Sequence, residues 1–193
     1  NQQEKKALSI TACKVRMGVI EALTMPNRDI PADPFFADIF TYLYFKEMNI
    51  DPKDPKNPDR DRFVLSKGHT APGLYAALAN RGYFPVEDLK LAAIGSYLQG
   101  HPNMNTTPGV DMSTGSLGQG VSVAADGAGA KYENKNLRVY TATGDGEIQE
   151  GQIWEALMFA AHYKLDNLCV IVDNNNLQID GEVSKVMSPY PID

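Results

Sequence analysis

Leu137-Arg138-Val139-Tyr140-Thr141-Ala142-Thr143 runs straight into Gly144-Asp145-Gly146. Further on, Asn167-Leu168-Cys169-Val170-Ile171-Val172-Asp173 runs into Asn174-Asn175-Asn176-Leu177-Gln178-Ile179-Asp180-Gly181. The first run reads as a strand, and the second is the continuous apolar kind found in strands buried within parallel sheets. Between them, residues 149–163 carry the apolar spacing of a helix. A strand–helix–strand unit sends both strands the same way, so the two polar turns leave one edge of the sheet, where open α/β sheets bind ligands. Asp145 offers a carboxylate there and Asn175 an amide, beside glycines that let the backbone come close. Mg²⁺ takes octahedral oxygen ligands and is usually shared between one or two carboxylates and phosphate groups. Asp145, the Asn175 side chain and a nearby main-chain carbonyl therefore suit a divalent cation holding a diphosphate.

The rest of the chain extends this pattern. Helices are expected over residues 7–23, 38–48, 71–81, 87–94 and 121–132, with a strand at 62–66. The 38–48 helix is apolar enough to be buried, and Gly82 is placed to end the 71–81 helix in a left-handed cap. Three prolines make residues 25–34 a loop. Residues 95–120, rich in Gly, Pro, Asn, Ser and Thr, form a long non-helical stretch, and such stretches are uncommon unless functional. Alternating strands and helices imply an α/β architecture with a parallel sheet flanked by helices. No repeat or low-complexity tract interrupts it.

Composition narrows the function classes. A chain of 193 residues with 43% hydrophobic and 22% charged residues has the make-up of one soluble globular domain. A net charge of −6, with no Lys/Arg cluster, argues against nucleic acid as a partner. The charge-dense stretch 51–62 mixes both signs with prolines and reads as a solvated loop. Cys13 and Cys169 stand far apart with no metal-type spacing, and Cys169 reads as a buried small hydrophobe. A reducing, cytoplasmic setting follows. No apolar run reaches the roughly 20 residues a membrane span needs, and residues 1–23 lack a signal-peptide pattern.

Two phosphate-binding motifs are absent. Position 149 is Gln, so Gly144-x-Gly146 lacks the third glycine of a dinucleotide fingerprint, and no P-loop occurs. His69 and His101 each follow a glycine at a chain turn, which makes them proton-transfer candidates. His162 sits late in a helix, where stabilisation of the helix C-terminus accounts for it.

The segment Gly144-Asp145-Gly146-Glu147-Ile148-Gln149-Glu150-Gly151, continuing through Trp154-Glu155-Ala156 to Asp173-Asn174-Asn175, resembles the thiamine-diphosphate motif. Asp61-Arg62-Phe63-Val64-Leu65-Ser66-Lys67-Gly68-His69, Gly100-His101-Pro102 and Ser113-Thr114-Gly115-Ser116-Leu117-Gly118-Gln119-Gly120 resemble transketolase in particular. The likeness covers residues 38–193 and is closest to the N-terminal, diphosphate-binding subunit of the split, half-size transketolases. It implies a thiamine-diphosphate-binding fold, with residues 1–193 a diphosphate-binding domain short of its usual C-terminal end.

The resemblance also implies roles. Asp145, Asn175 and the Leu177 carbonyl match the ligands of Mg²⁺ (or Ca²⁺). Gly144, Gly146, Asn175 and His69 match residues around the thiamine diphosphate, with Gly115 and Leu117 at its rings. His69 and His101 match catalytic histidines, His101 at the donor sugar. Glu150 and Glu155 match acidic residues at a subunit contact. The implied reaction moves a two-carbon ketol unit from a ketose phosphate to an aldose phosphate, as in the pentose phosphate pathway. The glutamate that activates the cofactor lies, in that family, on a pyrimidine-binding domain this chain lacks. A C-terminal transketolase subunit carrying that domain is therefore the implied partner, in a heterotetramer.

One segment departs from the pattern. Transketolases carry a Gly-His-Pro-Gly stretch after the first helix, whereas this chain has Pro26-Asn27-Arg28-Asp29-Ile30-Pro31-Ala32, and no histidine precedes His69. Two other readings are a 1-deoxyxylulose-5-phosphate synthase-like enzyme and a non-catalytic cofactor-binding or assembly subunit. The Gly100-His101-Pro102 and 113–120 motifs favour transketolase over the first.

Overall fold

The structure is a computed structural model and describes residues 1–24, 36–91, 95–130 and 136–192. The chain folds into two compact units, Asn1–Arg60 with Gly68–Ser113, and Asp61–Lys67 with Thr114–Asp193. Residues 26–32, where the histidine-bearing stretch is missing, lie outside the described residues, as do 92–94 and 131–132 of the expected helices.

The first unit is helical. Helix α1 (Gln2–Leu23) starts earlier than the apolar spacing alone suggests, because Asn1 and Glu4 form a capping box. The Glu4 amide donates to Asn1 Oδ1 at 2.9 Å and the terminal ammonium reaches Glu4 Oε2 at 3.2 Å. Its buried stripe, Ala12, Val15, Gly18, Val19 and Ala22, has helical periodicity and packs on α3 (Ala71–Arg81) and α2 (Ala37–Tyr42). Helix α2 widens into a π-helical turn, Leu43–Glu47, where a single helix over 38–48 was expected. Phe36 and Phe40 pack edge to face beneath it, with ring centroids 4.9 Å apart. Helix α3 is buried from Ala71 to Ala79. It closes as anticipated: Gly82 has φ +102°, its amide donates to the Ala79 carbonyl at 3.0 Å, and the Tyr83 amide returns to the Leu78 carbonyl at 3.1 Å. The 3₁₀ turn Val86–Leu91 follows.

The end of the charge-dense stretch is not simply solvated. Arg60 pairs with Asp111, both largely buried, and its Nε donates to the Pro55 carbonyl at 2.7 Å. Opposite charges brought together let the segment turn inward, which composition alone does not disclose. Asp61, in the second unit, is buried as well and accepts from the Arg138 backbone and guanidinium, each at 3.0 Å.

The second unit holds a parallel sheet of three strands, β1 (Arg62–Leu65), β2 (Val139–Gly144) and β3 (Leu168–Asp173), in the order β1-β2-β3. Helices α4 (Gln119–Gly129) and α5 (Gly151–His162) flank it, with α4 against β1 and β2 and α5 against α4. β2 is central and buried from Val139 to Thr143. β3 pairs with one neighbour among the described residues and is only half-buried, and Cys169 is exposed. The expectation of a buried β3 and a buried Cys169 is corrected accordingly: a strand with one partner strand leaves its outer side accessible. Gly120 marks the tightest approach in the unit, since a Cβ there would lie 2.5 Å from Ser66 Cα. Beyond β3, a short hairpin of β4 (Leu177–Gln178) and β5 (Gly181–Glu182) leads to the one-turn helix α6 (Val183–Val186). Among the described residues no helix is long and apolar enough to cross a membrane.

Candidate functional site

The sheet register brings the two polar turns together. Gly144 of β2 lies opposite Asp173 of β3, so the chain leaves both strands side by side at their carboxyl ends. The Asp145 amide continues the ladder, donating to the Asp173 carbonyl at 3.1 Å. Its side chain is completely buried, at 0% exposure. A carboxylate so placed needs donors, and it has them. Oδ1 accepts from the Gly146 amide at 2.9 Å, and Oδ2 from the Asn176 amide at 2.7 Å, with the Tyr190 hydroxyl at 3.3 Å.

The loop after β3 is shaped for this contact. Asn175 Oδ1 accepts from the Leu177 amide at 2.9 Å, a local Asx turn. Asn176 adopts φ +59°, a left-handed conformation that Asn tolerates better than most residues. The Asn176 carbonyl accepts from the Val183 amide at 3.1 Å. Gln149 Nε2 holds the hairpin against the turn after β2, donating to Gln178 Oε1 and the Met187 carbonyl, both at 2.6 Å.

Charge at this edge is concentrated. Lys67, 2% exposed, forms an ion pair with Asp173, whose Oδ2 also lies 3.4 Å from Asn175 Nδ2. The Tyr190 hydroxyl bridges Asp145 and Asn174. Loss of solvent around it, and then the negative charge of Asp145, hold the Tyr190 phenol above its ordinary pKa.

These donors fit a hard divalent cation. Asp145 offers carboxylate oxygen, Asn175 an amide oxygen and Leu177 a main-chain carbonyl. Among the described residues there is no group of three or more His, Cys, Asp or Glu that could enclose a metal alone.

The other sequence-predicted residues divide between the two units. Gly144 and Gly146 form the turn with Asp145. Gly115 and Leu117, both exposed, lie just before α4 in the same unit. His69, half-buried, sits in the 3₁₀ turn that heads α3, and His101 is exposed, its carbonyl 3.1 Å from the Tyr75 hydroxyl; both belong to the first unit. Glu150 and Glu155 are exposed at the start of α5, and His162 is its last residue. The sequence reading missed three participants: Tyr190, the Lys67–Asp173 pair and Glu147. Glu147, 2% exposed, stands inside the Gly144–Gly151 motif, yet no sequence pattern marks a glutamate as buried.

The family model described as "Transketolase, thiamine diphosphate binding domain" matches residues 9–189. The chain is 49% identical over 158 residues to the 6-deoxy-6-sulfo-D-fructose transketolase subunit SqwG of Clostridium sp. (strain MSTE9), covering 81% of this chain and 58% of that protein. It is 42% identical over 195 aligned residues to an apulose-4-phosphate transketolase subunit of Actinobacillus succinogenes, covering 100% and 70%. Human transketolase is 44% identical over 181 residues, covering 92% of this chain and 29% of its own length. The crystal structure of Campylobacter jejuni transketolase superposes with a TM-score of 0.86 at 34% identity, over 96% of this chain and 31% of that one. The chain thus spans part of each relative's length.

Proposed function

Because the chain belongs to the transketolase family, through its thiamine diphosphate binding domain, we propose that it is the cofactor-anchoring subunit of a two-chain transketolase. The observation that carries this reading is the 2.7 Å hydrogen bond from the Asn176 amide to Asp145 Oδ2, which joins the two motifs at one oxygen-rich point on the sheet edge. Two relatives named as subunits of such enzymes support the division into chains.

In this reading Asp145, the Asn175 side chain and the Leu177 carbonyl hold Mg²⁺, and the Gly144–Gly146 turn presents backbone to the diphosphate. Gly115 and Leu117 face the cofactor rings. Thiamine diphosphate supplies the electron sink that lets a bond beside a ketose carbonyl break and re-form. The protein binds and orients. From the first unit, His69 would serve in proton transfer and His101 in hydrogen bonding of the donor sugar. The substrates are a ketose phosphate or a related ketose as donor and an aldose phosphate as acceptor, as in the pentose phosphate pathway. The partner chain supplies the pyrimidine-binding domain, and the two assemble as a cytoplasmic heterotetramer.

Reconstitution tests this. The full-length protein, mixed with a pyrimidine-domain chain, Mg²⁺ and thiamine diphosphate, is expected to transfer a ketol unit between sugar phosphates, and neither chain alone is. Tight cofactor binding with no transfer for any sugar pair would favour an assembly role instead.

A further inference from the structure

Glu147 is a buried and densely hydrogen-bonded side chain at the sheet edge, and the cofactor reading gives it no task. Oε1 accepts from the Ser66 hydroxyl and from the Gly118 amide at 2.7 Å; Oε2 accepts from the Thr143 hydroxyl at 2.7 Å and the Gly144 amide at 3.1 Å. Two donors on each oxygen fill the acceptor sites of a carboxylate. Hydrogen bonds to an ionised acceptor are stronger than neutral ones, so this is a rigid joint.

The donors come from three separate stretches. Ser66 follows β1 and precedes Lys67. Gly118, at φ +86°, is the residue before α4 and follows Leu117. Thr143 and Gly144 end β2 and lead into Asp145. In the proposed function two of these stretches carry part of the cofactor site, the ring-facing residues 115 and 117 and the metal-binding turn, and the third leads into Lys67, which pairs with Asp173 at the same edge. The positive end of the α4 dipole, at the Gly118 amide, favours the negative charge of Glu147 in this place.

Resting on that reading, we infer that Glu147 is a positioning residue of the cofactor site, locking the ring-contacting segment before α4 to the metal-binding turn after β2. It touches neither the cofactor nor the reacting atoms. Its effect is preorganisation: with the joint intact, the 115–118 backbone and the Gly144–Asp145 turn are already held to one carboxylate. Without it, binding must order them.

The test is a titration of Mg²⁺ with thiamine diphosphate into the full-length protein assembled with the pyrimidine-domain chain, wild type and variants, alongside melting temperatures without ligand. Glu147→Gln preserves shape but places an NH₂ group against two donors. It is expected to weaken cofactor binding by roughly 10–100-fold, the range typical of residues that orient metal ligands. Thr143→Val removes one donor at constant volume and is expected to weaken binding too, while Thr143→Ser, which keeps the hydroxyl, restores affinity close to wild type. A purely structural role would lower the melting temperature and leave affinity, measured well below unfolding, unchanged; that result overturns the inference. Should Glu147→Gln not accumulate as folded protein, the Thr143 pair decides. If the wild type itself fails to bind Mg²⁺ with thiamine diphosphate, the cofactor reading fails; if it binds and all variants bind equally, only the role of Glu147 does.

Discussion

Asp145 and Asn176 meet through a 2.7 Å hydrogen bond, the Asn176 amide donating to a carboxylate oxygen with no solvent exposure. The residue that anchors the turn after β2 thereby also fixes the loop after β3. In the proposed function, cofactor binding and local folding share one side chain.

Asp145→Ala should therefore show two separable defects. Binding of Mg²⁺ with thiamine diphosphate, followed by calorimetry, is expected to fall below detection because the only carboxylate of the donor set is gone. Stability without ligand, followed by urea unfolding, is expected to drop by about 1–3 kcal/mol, since the Asn176 and Gly146 amides lose their acceptor. A variant with unchanged cofactor affinity would refute the metal assignment.

Lys67 and Asp173 form a largely buried ion pair. Removing one charge strands the other, at a cost of roughly 3–5 kcal/mol. Lys67→Met and Asp173→Leu should each be strongly destabilising, and the double variant much less so than their sum. Urea midpoints across the double-mutant cycle measure the difference.

Gly120→Ala places a Cβ 2.5 Å from Ser66 Cα, backbone that cannot step aside without moving β1 or α4. The expected loss is about 1–3 kcal/mol, as for overpacking elsewhere. Gly129→Ala, in the same helix, has nothing within 4 Å of the added methyl. It is expected to be neutral or to gain up to roughly 1 kcal/mol from helix propensity. Thermal melts of the two variants should move in opposite directions or differ sharply in size.

Alkaline pH should destabilise the first unit through Tyr44. Full burial, and then the charge of Asp111, hold its phenol well above the ordinary value, with Arg60 opposing. The folded state thus keeps the proton more tightly than the unfolded chain does. The stabilisation is complete below the unfolded pKa of about 10 and is lost progressively as pH rises above it. Unfolding midpoints recorded from neutral to strongly alkaline pH should fall above that point, and Tyr44→Phe should flatten the decline.

Much of the site was legible in the chain because it depends on local order. Two apolar runs separated by a helical segment dictate parallel strands, and the residues that follow them, Asp145 and Asn175, must then leave the same edge. Gly82 was readable for the same reason: a glycine after an apolar helix is a cap. The unread features depend on which neighbours arrive from far along the chain. Glu147 and Lys67 look like ordinary charged residues until Ser66, Gly118 and Asp173 close around them. The exposure of Cys169 reflects the outer place of β3 in the strand order, which no periodicity within β3 encodes.

The pairing of Gly144 with Asp173 makes the sheet the ruler of the site. A slip of β3 by one residue would carry the Asn174–Asn176 loop about 3.3 Å along the strand and turn its side chains to the opposite face. Asp145 would then face the wrong amide. Changes at Val139, Thr141 or Val170, which take no part in the donor set, can consequently disable the site by loosening that alignment. Its precision is set by the packing of the strands behind it.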